Sequence, residues 1–423
     1  MRRKEKIKVP RKAQDVIPVR YIWRDGIFYA GNMFSKTFRF SDINYAIAGK
    51  EDKEAMFFDY CELLNSLDSD AITKITVCNR RLNRKVFDES ILLPMLGDGN
   101  DAYRKELNDM LAARAEESNG IVQEKYITVS VQKKNIEEAR TYFARFGTDI
   151  AAKLGALGSK CEELDATERL RIFHDFYKAG NEIHFDFDLK RENGRGHSFK
   201  DTICPNTFEF KSGYFKLDGK YGRALFLKTY ANYIKDNMFI DLCDVNQNLF
   251  ASIDVRPIPT DKAVKSVEKN LLGIDTDITN WQRRQNRANN FSAVIPYQLE
   301  QNRQDTKEFL DDLITRDQRM MLAVVTMVHT ADSLEQLDSD TELILSTARK
   351  HLCEFAVLRY QQMDGMLSAL PFGIKRIHNE RTLSTESLAV LTPFCAQDIQ
   401  QTGGIYYGQN AVNNKMILAD RTQ

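Results

Sequence analysis

Histidine and aspartate side chains at alternating positions are the strongest candidate for a metal site in this sequence. His184, Asp186 and Asp188 form the pattern H-x-D-x-D, and imidazole and carboxylate groups are common ligands of divalent metal ions. Alternate residues of a β-strand point to the same face, so the pattern predicts a strand that holds the three polar side chains together. The other face would be apolar, with Ile183, Phe185, Phe187 and Leu189. A solvated polar face explains the pattern without a metal ion, and we favour that interpretation.

A phosphate-binding loop of the form G-x-x-x-x-G-K-[ST] does not occur in the sequence. The nearest approach is GALGSK at residues 155–160, which has neither the spacing nor the Ser or Thr after the lysine. Its glycines are typical of the end of a helix. Without such a loop a triphosphate has no evident cradle. We therefore assign no catalytic, cofactor-binding or metal-binding residue, and expect no cofactor for this chain.

Four arginines lie in a segment rich in asparagine and glutamine: Arg283, Arg284, Arg287 and Arg303. Arginines beside amides can hold the phosphates of a nucleic acid. Acidic residues such as Asp305 and Glu308 dilute the cluster, and no series of aromatic residues is interleaved with it to stack on bases. The segment therefore favours a solvated helical hairpin, and we do not expect direct nucleic-acid binding.

The composition is that of an ordinary globular protein. The chain has 423 residues, 43% of them hydrophobic, which argues for two or three domains. Its 60 basic and 60 acidic residues cancel, so any attraction to nucleic acid or lipid must come from local patches. The seven cysteines have no framework spacing, which indicates reduced thiols and a cytoplasmic location.

The first twenty residues form a basic segment with little periodicity. Pro10 and Pro18 discourage a helix, so residues 1–20 are predicted to be a flexible arm. Two interpretations stay open, a solvated tail and a contact with anionic lipid or an acidic partner. The residues that would make this contact are Arg2, Arg3, Lys4, Lys6, Lys8, Arg11 and Lys12.

Residues 21–200 alternate between strand and helix patterns. Strands are predicted at 27–29, 37–40, 72–78 and 126–131, and helices at 53–67, 102–118 and 135–154. Gly31 and Asn32 are typical of the turn of a hairpin. This order predicts an α+β domain in which helices cover a mainly antiparallel sheet, a ferredoxin-like layer.

Residues 201–370 predict a second α+β unit of the same kind. Strands are expected at 208–210, 214–217, 223–227, 250–255, 319–329 and 354–358, with Asp218 and Gly219 as a hairpin turn. Helices are expected at 333–352 and 361–370. Between the strands, a heptad seam predicts a long antiparallel helical hairpin near residues 261–316. The seam consists of Val264, Val267, Leu271, Ile274, Ile278 and Trp281. No internal repeat stands out.

Three short motifs follow in the last part of the chain. Residues 370–373 read L-P-F-G, residues 381–389 contain R-T-L-S and L-A, and residues 404–408 read G-I-Y-Y-G. This series resembles the segment that leads into the motor of the large conjugation ATPases. These are the Vir-type ATPases of type IV secretion and their TraE/TraC-type relatives on Gram-positive conjugative elements. The likeness is dense after residue 366 and weaker before it.

The resemblance implies a function. In that family this region is the N-terminal domain, which docks the motor on the inner-membrane base of the translocation channel. Residues 371–423 would be the connector to an ATPase domain that is absent here, and ATP and Mg²⁺ would belong to that domain. The implied partners are inner-membrane channel subunits and further copies of the full-length protein, with no small-molecule substrate. The implied location is peripheral, at the inner face of the bacterial membrane.

One alternative function is a self-standing enzyme. Its site would lie on the predicted sheet at residues 182–222, which is rich in glycine, aromatic and charged residues. Such an enzyme would need a deep pocket with converging polar groups. The sequence leaves both functions open.

Overall fold

The structure is a computed structural model that describes residue 10 and residues 12–81, 92–117, 121–230, 237–245, 247–288, 290, 294–396, 405–409 and 416–419. Its strands are β1 (Val19–Ile22), β2 (Phe28–Ala30), β3 (Met33–Phe40), β4 (Ala71–Arg81), β5 (Ile121–Val131), β6 (Cys161–Glu163), β7 (Phe208–Phe210), β8 (Phe215–Leu217), β9 (Lys220–Thr229), β10 (Asn248–Pro257), β11 (Met320–Ala331), β12 (Glu354–Val357), β13 (Arg381–Ser384), β14 (Ile405–Gln409) and β15 (Met416–Ala419).

The α-helices are α1 (Lys50–Asn65), α2 (Asp101–Glu117), α3 (Ile136–Ala156), α4 (Ala166–Tyr177), α5 (Leu189–Arg195), α6 (Phe199–Ile203), α7 (Met238–Cys243), α8 (Thr260–Arg287), α9 (Tyr297–Thr315), α10 (Leu334–Lys350), α11 (Gln362–Ala369) and α12 (Thr385–Ala389). Short 3₁₀ helices lie at Ala13–Asp15 and Glu182–His184.

Thirteen of the described strands form one antiparallel sheet. Its order is β1-β2-β3-β5-β4-β10-β11-β9-β8-β7, with β6 beside β3, β12 beside β9 and β13 beside β11. Helices pack on this sheet, so the predicted α+β class, with antiparallel strands covered by helices, is confirmed.

Each half of the sheet has the strand order of a ferredoxin-like fold. The first half runs β6-β3-β5-β4 and the second runs β12-β9-β11-β10. Numbered within each unit, both read 4-1-3-2, and a helix follows the first and the third strand. The two units are joined because β4 pairs with β10, from Thr73 opposite Val255 to Asn79 opposite Leu249.

The two units also carry the same additions. A hairpin, β1–β2 or β7–β8, precedes the first strand, and an insertion with helices separates the second strand from the third. Both hairpins lead into that strand through the predicted turns. The turn residues have positive φ, at 55° and 66° for Gly31 and Asn32 and at 45° and 92° for Asp218 and Gly219. The fold is thus a duplication, visible in topology where the sequence shows no repeat.

The insertion of the second unit is the predicted helical hairpin, α8 and α9. Its base packs in a small cluster with Ala263, Val267, Leu313 and Met320. Farther along, Arg303 pairs with Asp275, with 2.7 Å between Nε and Oδ1. This ion pair joins the two antiparallel helices.

The two faces of the sheet have different cores. Alternate residues of the central strands, such as Ile75 and Ile253, join a large apolar cluster that includes residues of α1, α3, α7, α10 and α12. The neighbouring residues face a second cluster, formed with α4, α6 and α11. The segment that contains the L-P-F-G motif lies on this second face.

Candidate functional site

The centre of the second sheet face is polar although it is buried. Lys74, Thr76, Thr128 and Ser252 each expose less than 1% of their surface, and Asp254 exposes 2%. They alternate with the apolar residues of the first face, as a half-exposed strand would. A polar patch buried in this way needs internal hydrogen-bond partners.

Lys74 and Asp254 form an ion pair at the junction of the two units. They are directly opposite each other on β4 and β10, and Lys74 Nζ lies 2.7 Å from Asp254 Oδ2. Burial raises the pKa of the Asp254 carboxyl and lowers the pKa of the Lys74 amine, and each charge opposes the shift of the other. The pair therefore holds a charge from each unit in contact at the centre of the sheet.

Four side chains of this face and of α4 donate hydrogen bonds to four carbonyl groups at the end of α11 and in the L-P-F-G motif. We name these donors the carbonyl clamp. They are Lys74 to Ser368 O, Ser252 to Ala369 O (2.6 Å), Arg169 to Pro371 O (3.3 Å) and Ser35 to Phe372 O (3.1 Å). Since the last carbonyls of a helix have no partner within it, the clamp satisfies groups that burial would otherwise make costly.

Arg169 is the largest fully buried side chain of the clamp. Its guanidinium also donates to Gly26 O at 2.6 Å and to Ser35 O at 2.8 Å. Its Cζ lies 3.9 Å from the ring centre of Phe28. Burial lowers the pKa of Arg169 to about 9, which leaves it charged at neutral pH. Backbone carbonyls and an aromatic face therefore surround the cation in place of a carboxylate.

The motif residues fit this site closely. Phe372 stacks on Phe173 of α4 with ring centres 3.9 Å apart and an interplanar angle of 3°. Gly373 has φ +77°, and a Cβ at this position would clash with Ser130 and Ser35. Glycine is required here for both reasons.

Beyond the motif the chain continues within the same body. β13 extends the sheet, with Leu383 opposite Met321 of β11. The ring of Phe394 packs against Phe40 and Tyr60, with 5.7 Å between ring centres in each case. Residues 370–396 therefore contact both sheet faces. β14 and β15 form a separate two-stranded sheet in which Ile405 is opposite Ala419.

The prediction of a strand for the H-x-D-x-D segment is wrong. His184 ends a 3₁₀ helix, and Asp188 Oδ1 accepts hydrogen bonds from the backbone N–H groups of Lys190 and Arg191 at the start of α5. Asp186 pairs with Arg191. Since a helix start needs such an acceptor, local capping overrides the strand pattern. Over the ranges that the structure describes, no group of three His, Cys, Asp or Glu side chains is arranged to hold a metal ion.

The GALGSK segment ends a helix, as predicted. α3 stops at Ala156, Gly158 has φ +83°, and the Ser159 N–H donates to Leu154 O at 2.8 Å. This is the glycine-containing cap of a helix C-terminus.

Most of the predicted basic contact lies outside the described residues: Arg2, Arg3, Lys4, Lys6, Lys8 and Arg11. Lys12 is described and exposed, and its N–H donates to Asp15 Oδ2 at 3.1 Å. Within the described chain, no helix combines the length and the apolar character needed to cross a membrane.

A groove lies between the helical hairpin and β13, away from residues 182–222. It has a volume of about 810 Å³, and its lining includes Val267, Phe309 and Leu383 together with Thr306 and Ser387. In the 182–222 segment, Glu209 of β7 forms ion pairs with Lys211 in the hairpin turn and with Lys216 of β8. These pairs form a solvated surface of the β7–β8 hairpin.

Sequence reasoning missed the carbonyl clamp. Lysine and arginine are usually exposed, so Lys74 and Arg169 look like surface residues. The one available signal is that Ser252 and Asp254 alternate with Ala251, Ile253 and Val255 within a predicted strand.

Comparisons with known proteins add no further assignment. A scan against protein-family models finds no match for this chain, and a search of curated proteins finds none.

Proposed function

We propose that this chain is the docking and assembly domain of a conjugation-type ATPase. It would anchor the motor to the inner-membrane translocation channel through which DNA is transferred. Its partners would be channel subunits and other copies of the full-length protein, and it would lie at the cytoplasmic face of the membrane. No catalytic role is assigned to the chain by itself.

The observation that supports this proposal most is the position of the motif residues. Leu370, Phe372 and Gly373, which carry the resemblance, lie in the carbonyl clamp. The clamp takes Lys74, Ser35 and Arg169 from the first unit and Ser252 from the second. The first part of the connector, through residue 396, is thus fixed to both units. Such rigid attachment suits a domain that positions a motor.

Competition in donor cells tests the proposal. The chain is overproduced in cells that carry a conjugative element of the same kind, and transfer frequency is measured. A docking domain occupies channel sites without supplying a motor, so transfer should fall and channel subunits should co-purify with the chain. Unchanged transfer together with no co-purified channel subunit would contradict the proposal.

Nucleotide titration provides a second test. Because the sequence has no phosphate-binding loop, the chain should show no saturable binding of ATP with or without Mg²⁺. Saturable micromolar binding that is lost on mutation of a defined pocket would favour the alternative, a self-standing enzyme.

A further inference from the structure

The free end of the helical hairpin combines exposed arginines with exposed apolar side chains. Between Asp277 and Glu300 the sequence contains three arginines and no other charged residue. All three, Arg283, Arg284 and Arg287, are exposed. In the described part of the chain they form no ion pair with an acidic side chain. In a chain with equal numbers of acidic and basic residues, this is a local excess of positive charge.

The apolar side chains lie at the same end of the hairpin. Val294 is 87% exposed and Tyr297 is 80% exposed. The Asp275–Arg303 ion pair joins the antiparallel helices α8 and α9. Trp281 and Tyr297 each lie six residues from this pair towards the free end, and Trp281, the last residue of the apolar seam, is partly exposed. We name these six residues the hairpin tip: Trp281, Arg283, Arg284, Arg287, Val294 and Tyr297.

The hairpin carries this tip well away from the sheet. The base is anchored by Val267 and Leu313, and a helix rises about 1.5 Å per residue, so Arg287 lies roughly 30 Å from Val267 along α8. The tip can therefore meet a large flat surface without contact from the rest of the domain.

We propose that the hairpin tip binds an anionic lipid surface. The arginines would pair with headgroup phosphates. Tryptophan and tyrosine are favoured at the membrane–water interface, where an apolar ring and a polar group meet different surroundings. Val294 would enter the boundary with the acyl chains. A nucleic acid would also attract the arginines but would give no partner to this aliphatic side chain, so the lipid surface accounts for more of the tip. The inference does not depend on the proposed function.

Sedimentation with vesicles is the first test. The full chain is mixed with vesicles of phosphatidylcholine, with or without phosphatidylglycerol, at low salt. Binding should require phosphatidylglycerol. The variant R283Q/R284Q/R287Q should bind more weakly by on the order of a hundredfold, because each arginine near the surface contributes roughly fivefold. The basic arm is present in both proteins, so their difference reports the tip.

The same helix offers a matched control. Lys262, Lys265 and Lys269 are exposed near the hairpin base, and K262Q/K265Q/K269Q removes the same charge from the other end of α8. This variant should bind vesicles as the original chain does. An equal loss in both triple variants would mean that net charge, and not the tip, determines binding, and would overturn the proposal.

Fluorescence tests insertion directly. The sequence has two tryptophans, so W23F leaves Trp281 as the only one. Its emission should shift to shorter wavelength on anionic vesicles and should be quenched by lipids brominated on the acyl chains. V294S/Y297S should weaken binding without changing its dependence on salt. Absence of quenching, or preferential binding of a DNA oligonucleotide that displaces vesicles, would refute the lipid assignment.

Discussion

Replacement of Lys74 by methionine should destabilise the protein strongly. The change removes the ammonium group that lies 2.7 Å from Asp254 and leaves that carboxylate buried, since both side chains are 1% exposed. Breaking a buried pair from one side costs about 3–5 kcal/mol. Loss of the bond to Ser368 O adds about 1 kcal/mol. The free energy of unfolding, measured with urea at pH 7, should fall by about 4–6 kcal/mol.

The double variant K74M/D254L should recover most of this loss. It leaves no buried charge, and apolar replacements of a buried pair are often neutral or stabilising. Only the unpaired Ser368 carbonyl remains, so the double variant should lie within about 1–2 kcal/mol of the original protein. D254L alone should be destabilised, since it leaves the Lys74 amine buried without its carboxylate.

The pH dependence of K74M provides an independent check. Burial raises the pKa of Asp254 even with Lys74 present, and removal of the ammonium raises it further. A carboxyl whose folded pKa lies above its unfolded value stabilises the folded state below the unfolded value and loses that effect as pH rises. The deficit of K74M should therefore shrink as the pH is lowered from 7 towards 4.

An exposed pair on the same sheet serves as the control. Lys228 and Glu354 are about half exposed and lie 2.9 Å apart. K228M should cost less than about 1 kcal/mol of unfolding free energy, as for other surface pairs.

If K74M/D254L were as unstable as the sum of its single variants, the interpretation of the Lys74–Asp254 pair as mutual compensation of two buried charges would be refuted.

Three further predictions follow from the basic arm, a buried histidine and the motif glycine. Deletion of residues 2–12 should reduce low-salt sedimentation with anionic vesicles, because each lysine or arginine near the surface adds about 1 kcal/mol. Equal binding would contradict a role for the arm. Burial lowers the pKa of His329 to about 3, so the stability that depends on a neutral imidazole is complete above about pH 6.5 and falls below it by up to about 1.4 kcal/mol per pH unit. In H329Q the urea midpoint should change less between pH 7 and pH 5 than in the original protein. An equal change in both proteins would show that His329 does not cause the pH dependence. G373A should cost at least about 1–3 kcal/mol because of its positive φ and its clash with Ser130. G155A, inside α3 and with no atom within 4 Å of the added carbon, is its control and should be stabilising by up to about 1 kcal/mol in the same urea assay.

The sequence predicted local structure where a local signal was present. Asp218 and Gly219 form the expected turn because few residue pairs tolerate positive φ. The helical hairpin was predictable because the apolar residues of α8 repeat with a helical period and pack on the next helix in the chain, α9. The strand prediction for the H-x-D-x-D segment failed because alternation over a few residues cannot distinguish a strand from a capped helix start. Asp188 serves as the cap.

The duplicated topology and the carbonyl clamp could not be predicted in the same way. Both depend on contacts between distant residues, such as Lys74 with Asp254 and Arg169 with Pro371. A strand with Lys74 and Thr76 on one side predicts a solvated face. Only the arrival of α11 and residues 370–373 on that face buries it. The sequence contains both partners but no local signal that they meet.

The clamp also explains how a symmetric sheet acquires a single asymmetric attachment point. The two units have matching strands, hairpins and insertions, but the segment after α11 crosses their junction once. Three of the side chains that donate to carbonyls of this segment belong to the first unit, and the fourth, Ser252, belongs to the second. Displacement of one unit relative to the other would break at least one of these buried hydrogen bonds, which are costly to leave unmade. The two units and the segment through residue 396 should therefore move as one body.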